Sequence, residues 1–212
     1  MPPGRKPSAS QEEFVQAAIT FADERGLDAL TVRALGAAMG FSATAIYRYF
    51  PTKETLLSLM REELLTPILA GAGEVVDPRS RLRAAALSYR RLALEHPCLS
   101  QLTLVGDLDG SVASAIPDFL GGALAEMGLT GIDLVRGYRQ LESFVVGTTL
   151  FDFSGAPDHL RTRLVRLRQS TLPEFGEHVD GTDSVEAVNE SAFEASLDAL
   201  LDALASEGSP EP

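Results

Sequence analysis

From Thr31 to Lys53 the chain reads TVRALGAAMGFSATAIYRYFPTK, and groups able to hold a polyanion crowd into it. Arg33, Arg48 and Lys53 supply cations; Thr31, Ser42, Thr44, Tyr47 and Tyr49 supply hydroxyls; Ala43 leaves room between them. Cations make charge-assisted hydrogen bonds to phosphate, hydroxyls make neutral ones, and both fix a protein on a nucleic-acid backbone. The small side chains of Ser42, Ala43 and Thr44 suit a helix start entering a major groove without clash. No other stretch offers chemistry of comparable density. His96, His159 and His178 are scattered without metal-ligand spacing, and Cys98 is separated from His96 by Pro97, so a buried thiol and loop imidazoles are the simpler reading. Asp107 and Asp109 lie in a GDLDG segment too short for a calcium loop. No catalytic residue, metal or cofactor is expected, and the residue types point to a binding protein.

Positioning those groups takes two short helices and a turn. Val32, Leu35, Gly36 and Met39 share one face at helical period, Gly40 can adopt the left-handed conformation that stops that helix, and Ser42 can cap the next, whose inner face is Ile46 and Phe50. This spacing is a helix-turn-helix, with Gly36 small where the second helix must come close. A supporting helix begins at a capping box, Ser10 to Glu13, buries Phe14, Val15, Ala18, Ile19 and Ala22, and ends at Gly26. Pro51 stops the third helix, and Thr52 caps a fourth running over 53–69 with Pro67 in its last turn. Its apolar positions Leu56, Leu57, Met60, Leu64 and Ile68 make it the link to the rest of the chain.

The remainder is also helical in pattern. A Gly-rich acidic break over 71–78 precedes stripes at 82–95, 98–105, 112–127, 132–153, 159–172 and 191–206, whereas the acidic, turn-rich 173–190 reads as a loop. The fold class is therefore all-α. The expected organisation is a basic arm at 1–9, a helix-turn-helix domain at 10–53, a linking helix at 54–70, a helical domain at 71–207 and a tail at 208–212. Arg5 and Lys6 let the arm touch DNA, or it is a solvated tail. One cysteine excludes an intrachain disulfide framework, and no apolar run approaches about 18 residues, so a cytoplasmic protein with no membrane partner is expected.

A net charge of −12 over 212 residues looks wrong for a DNA binder until it is divided. Residues 1–61 carry seven Lys and Arg against six acids, or +1, and the rest carries eleven against twenty-four, or −13. Only the N-terminal part can approach phosphates, and its weak excess implies that useful affinity needs two copies.

The motifs T-V-R-x-L, G-F-S and I-Y-R-Y-F-P-T-K, followed by Glu54, Leu56 and Leu57 and preceded by G-L-D-A-L at 26–30, resemble the DNA-binding domain of the TetR (tetracycline-repressor) family of bacterial transcription regulators. The likeness covers the first quarter of the chain. It implies a double-stranded operator as partner, with Arg33 and the start of the third helix reading sequence, and Thr31, Tyr47 and Lys53 on the backbone. Ala43 stands where the family has longer polar residues, so that helix offers fewer base contacts. The resemblance further implies a small-molecule effector of unknown identity in the second domain. Tyr89, Leu102, Phe119, Met127, Gln140, Phe144 and Thr148 are candidate lining, with Met60 and Leu64 nearby, although each also reads as core. It implies a homodimer through the last two long helices, with Leu141, Val145, Phe193, Leu197, Leu200, Leu201 and Leu204 as candidate interface; a monomer's central helices would look the same. A ligand-released repressor, a constitutive DNA binder and an acidic helical interaction module are all compatible with the sequence.

Overall fold

The computed structural model describes residues 9–105, 111–153, 169–175 and 185–208. Helix α1, Gln11–Arg25, starts where the Ser10 hydroxyl accepts from Glu13 N–H and Glu13 accepts from the Ser10 amide at 2.7 Å, the expected reciprocal cap. A short 3-10 turn, Leu27–Ala29, leads to α2, Val32–Met39, capped by Thr31 and closed by Gly40 at φ 75°. Helix α3 is Ala43–Tyr47, shorter than the pattern to Phe50 suggested. The chain then tightens into a turn in which the Tyr49 and Phe50 amides both donate to the Ile46 carbonyl.

Helix α4, Lys53–Gly73, outruns its expected end by a full turn, because Pro67 is carried inside it. The break shrinks accordingly, and α5, Pro78–Glu95, begins with proline in the first turn and Asp77 as cap. Then come α6, Cys98–Leu104; α7, Ser111–Glu126; α8, Gly131–Phe153; and α9, Val185–Glu207. The start of α9 corrects the reading of 185–190 as loop: Val188 and Asn189 continue the helix, local acidity notwithstanding. Of the stripe expected at 159–172, residues 159–168 lie outside the described residues and 169–172 are not helical. Among the described residues there is no strand.

Phe14 organises the first core. Its ring lies 5.0 Å from Phe41 and 6.2 Å from Phe50, both edge-on, so α1 clamps the turn and the end of the reading pair at once. Leu56, Leu57 and Met60 carry α4 out of that core, and Leu64, Leu65 and Ile68 carry it into the second, against α5 and α7. There Leu82 and Ala93 of α5, Leu141 of α8, and Leu197, Leu201 and Leu204 of α9 are all essentially buried. Each such leucine contributes about 1.5–3 kcal/mol of burial. At the α8–α9 crossing a Cβ on Gly137 would lie 3.0 Å from Leu204, so glycine permits the approach. Outside the core, Arg83 of α5 binds Asp198 at 2.9 Å and Glu194 at 2.7 Å on α9, and Arg79 binds Asp202.

Candidate nucleic-acid interface and internal cavity

The outward face of the helix-turn-helix collects most of the expected groups. Thr31, Arg33, Ser42, Thr44, Tyr47 and Arg48 are exposed, and Ala43 is half-buried at the start of α3. Thr31 and Ser42 point their hydroxyls at the Ala34 and Ala45 amides, so both serve first as caps. Tyr49 differs from the others: its ring packs 5.2 Å from Phe14, and its hydroxyl donates to the Ala9 carbonyl at 3.1 Å. That tyrosine fastens the start of α1 to the turn. Lys53 stands in the first turn of α4, but its Nζ donates to the Leu27 carbonyl at 3.3 Å, which joins α4 to the 3-10 turn.

Inside the second domain, α4, α5, α6, α7 and α8 line a partly open cavity of about 120 Å3. Its walls are carbon, from residues such as Leu65, Ile68, Leu82, Leu120, Leu141 and Val145. Among the described residues three polar side chains interrupt them: Tyr89, Thr103 and Glu142. Tyr89 and Thr103 share a hydrogen bond of 2.9 Å, and burial raises the Tyr89 hydroxyl's pKa, so it stays neutral. Glu142 accepts from the Tyr138 hydroxyl at 3.2 Å and from the Arg139 guanidinium. Burial, with that carboxylate second, pushes Tyr138 up to about 12.

Of the nine expected lining residues only Tyr89 reaches this cavity. Met60, Leu64 and Leu102 are core, Phe119 and Met127 are half-buried away from it, and Gln140 is exposed on α8. Phe144 and Thr148 border a separate open depression between α8 and α9, where Phe144 stacks on Phe193 at 5.3 Å.

Two family models cover nearly the whole described chain. One, for bacterial regulatory proteins of the tetR family, matches residues 14–60, and the other, for the tetracyclin repressor-like C-terminal domain, matches 74–207. The chain belongs to the TetR family. Its relatives in that family are DNA-binding transcriptional regulators, not enzymes. The HTH-type transcriptional repressor DrrR1 of Streptomyces coeruleorubidus is 31% identical over 146 residues, which are 68% of this chain and 54% of that protein. The match thus spans about half the length of that relative. The class A tetracycline repressor protein from transposon 1721 of Escherichia coli is 29% identical, with 90% of this chain and 88% of that one aligned. A crystal structure of a possible TetR family regulator from Streptomyces coelicolor A3(2) superposes with a TM-score of 0.74 at 29% identity, over 92% of this chain and 98% of that one.

Within this TetR fold the last two helices depart from expectation. Leu141, Val145, Phe193, Leu197, Leu201 and Leu204 were candidates for contact with a second copy, yet all six are buried inside the one chain. Leu200 is half-buried. The apolar stripe of α9 is consumed by α5 and α8, and the outer face is a row of small residues: Gly147 on α8 with Ala192, Ser196, Ala199 and Ala203 on α9.

Sequence reasoning also missed how α6 is tied. Asp23 of α1 accepts from His96 Nδ1 at 2.8 Å and from the Cys98 amide at 3.0 Å, and the Leu27 amide donates to Gln101 at 3.1 Å. Burial, with Asp23 beside it, pushes the Cys98 thiol well up, which keeps it an inert packing group. The far end of α6 carries Thr103, in the cavity wall. Nothing in the isolated sequence marks Asp23 as a partner of residues more than seventy positions away.

Proposed function

We propose that this protein is a dimeric, ligand-responsive DNA-binding regulator of transcription that leaves a pseudo-palindromic operator when a small, largely apolar molecule enters its second domain. The observation carrying this reading is that one cavity is walled by the two elements that also hold the DNA-binding domain. Helix α4 runs from Lys53 at the phosphate-facing edge to Leu65 and Ile68 in the cavity wall. Helix α6 runs from the Asp23 contacts to Thr103 in the same wall. A molecule that changes the cavity's shape shifts both, and with them the separation of two recognition helices. It needs only a differential affinity between the two shapes; a coupling of about 1–3 kcal/mol lowers DNA affinity by roughly 5–150 fold.

Arg33 is assigned to base readout, with Thr44 against a thymine methyl, while Thr31, Ser42, Tyr47, Arg48 and Lys53 set register on the backbone. The second copy is assigned to the small-residue face of α8 and α9, where short side chains let helices approach closely.

Cavity size favours a second reading, a constitutive binder, since ligand sites ordinarily measure roughly 300–1,000 Å3 and this one is about 120 Å3. Ala86→Leu separates the two, because Ala86 is buried in the cavity wall. A ligand-responsive protein whose cavity is filled in this way keeps its DNA affinity and loses its response to apolar effectors in a gel-shift assay. If wild-type protein never responds to a broad panel of lipophilic compounds, the constitutive reading stands.

A further inference from the structure

The described polar side chains that line the cavity, Tyr89, Thr103 and Glu142, offer a ligand acceptors. Thr103 Oγ1 lies 3.0 Å from the Leu99 carbonyl, which can only accept, so the threonine's single hydrogen is spent there. The arrangement that satisfies both contacts has Tyr89 donating to Thr103 at 2.9 Å, which spends the phenolic hydrogen as well. These two hydroxyls leave only lone pairs toward the cavity. Glu142, the third of these side chains, has its carboxylate at the cavity rim, where it accepts from Tyr138 and Arg139. The wall helices' own backbone amides are engaged within those helices, and among the described residues no Lys, Arg or His lines the cavity. An anion placed here would be surrounded by carbon with a carboxylate at the rim, which is unfavourable. A neutral acceptor would find no donor to replace water.

We infer that the effector is a lipophilic amine, an apolar body carrying one protonated nitrogen that donates to Glu142. The inference rests on the cavity being the effector site. Glu142 is already paired with Arg139, but that guanidinium is two-thirds exposed. Exposed pairs of this kind contribute little net stability, because water and salt screen them, so a ligand ammonium can displace Arg139 into water. The volume, about 120 Å3, is close to that of an engineered cavity of about 150 Å3 that admits benzene. A single six-membered ring with a short aminomethyl arm is therefore the unit that fits without rearrangement.

The test uses three probes of one shape, benzylammonium, toluene and benzoate, titrated into full-length protein and followed by methyl NMR at Val145, Val146, Leu82 and Leu120. Benzylammonium is expected to bind about tenfold or more tighter than toluene, the difference that a hydrogen bond to a charged group makes, and benzoate not at all. Glu142→Gln, nearly isosteric, should bring benzylammonium to within about twofold of toluene while leaving toluene affinity unchanged; its thermal melt checks that the fold is intact. Toluene binding as tightly as benzylammonium, or an ammonium preference that survives Glu142→Gln, overturns the amine assignment and leaves the cavity reading standing. If none of the three shifts the cavity methyls, both fall.

Discussion

Gly36 shows most plainly how one residue sets the reading surface. A Cβ there would sit 2.9 Å from the Phe41 carbonyl oxygen and 3.3 Å from Ile46 Cδ1, and the first of these is backbone that cannot swing away. Gly36→Ala should destabilise the DNA-binding domain by about 1–3 kcal/mol, read as a lower denaturation midpoint; unchanged stability would mean that α2 and α3 can separate freely. In the proposed function Arg33 and Lys53 split the remaining work. Arg33→Ala should cost about 1–3 kcal/mol on the operator and relax preference at one base pair, whereas equal loss on random DNA would make Arg33 a phosphate contact. Lys53→Ala should weaken all sequences alike and flatten the salt dependence by about one unit of slope; an unchanged slope would confine Lys53 to its bond with Leu27. The helix-turn-helix itself was legible because caps, a left-handed glycine and a Tyr-Arg-Tyr-Phe run are local signals. The packing of Tyr49 was not legible for the complementary reason, since its partners Phe14 and Ala9 lie 35 and 40 positions away.

Among the elements, α6 carries the least expected role. Seven residues long, it is fastened to α1 by Asp23 at one end and forms the cavity wall with Thr103 at the other. Asp23→Ala removes an acceptor from both His96 and the Cys98 amide, and is expected to leave ligand-free DNA affinity within about twofold while abolishing most of the effector response. Full response in that variant, measured by gel shift, would assign the coupling to α4 alone. Helices α5 to α9 were visible by periodicity, and their order needed no correction. Their neighbours were not visible: a stripe of Leu197, Leu201 and Leu204 looks the same whether it meets its own α5 and α8 or a second subunit. Burial in the folded chain decides it, which is why a charge at Leu197 would unfold the domain and not simply yield a monomer.

For the whole molecule, the charge divide and the need for two weakly basic domains point to assembly. The outer row of Gly147, Ala192, Ser196, Ala199 and Ala203 is exposed, and it is the face proposed for a second copy. Ser196→Arg is exposed enough to spare the fold and should convert a dimer to a monomer in sedimentation at micromolar concentration; an unaltered dimer would move the interface elsewhere. A rigid pair must set its recognition helices roughly 34–36 Å apart to enter successive major grooves, so the DNA it prefers has to carry the same two-fold symmetry. In vitro selection of random duplexes at physiological salt reads this out directly, since the pool contains every candidate operator. The expected result is enrichment of an inverted repeat whose half-sites are centred about one helical turn apart, lost with Arg33→Ala at one position of each half-site. Selected pools that stay random in sequence would contradict it.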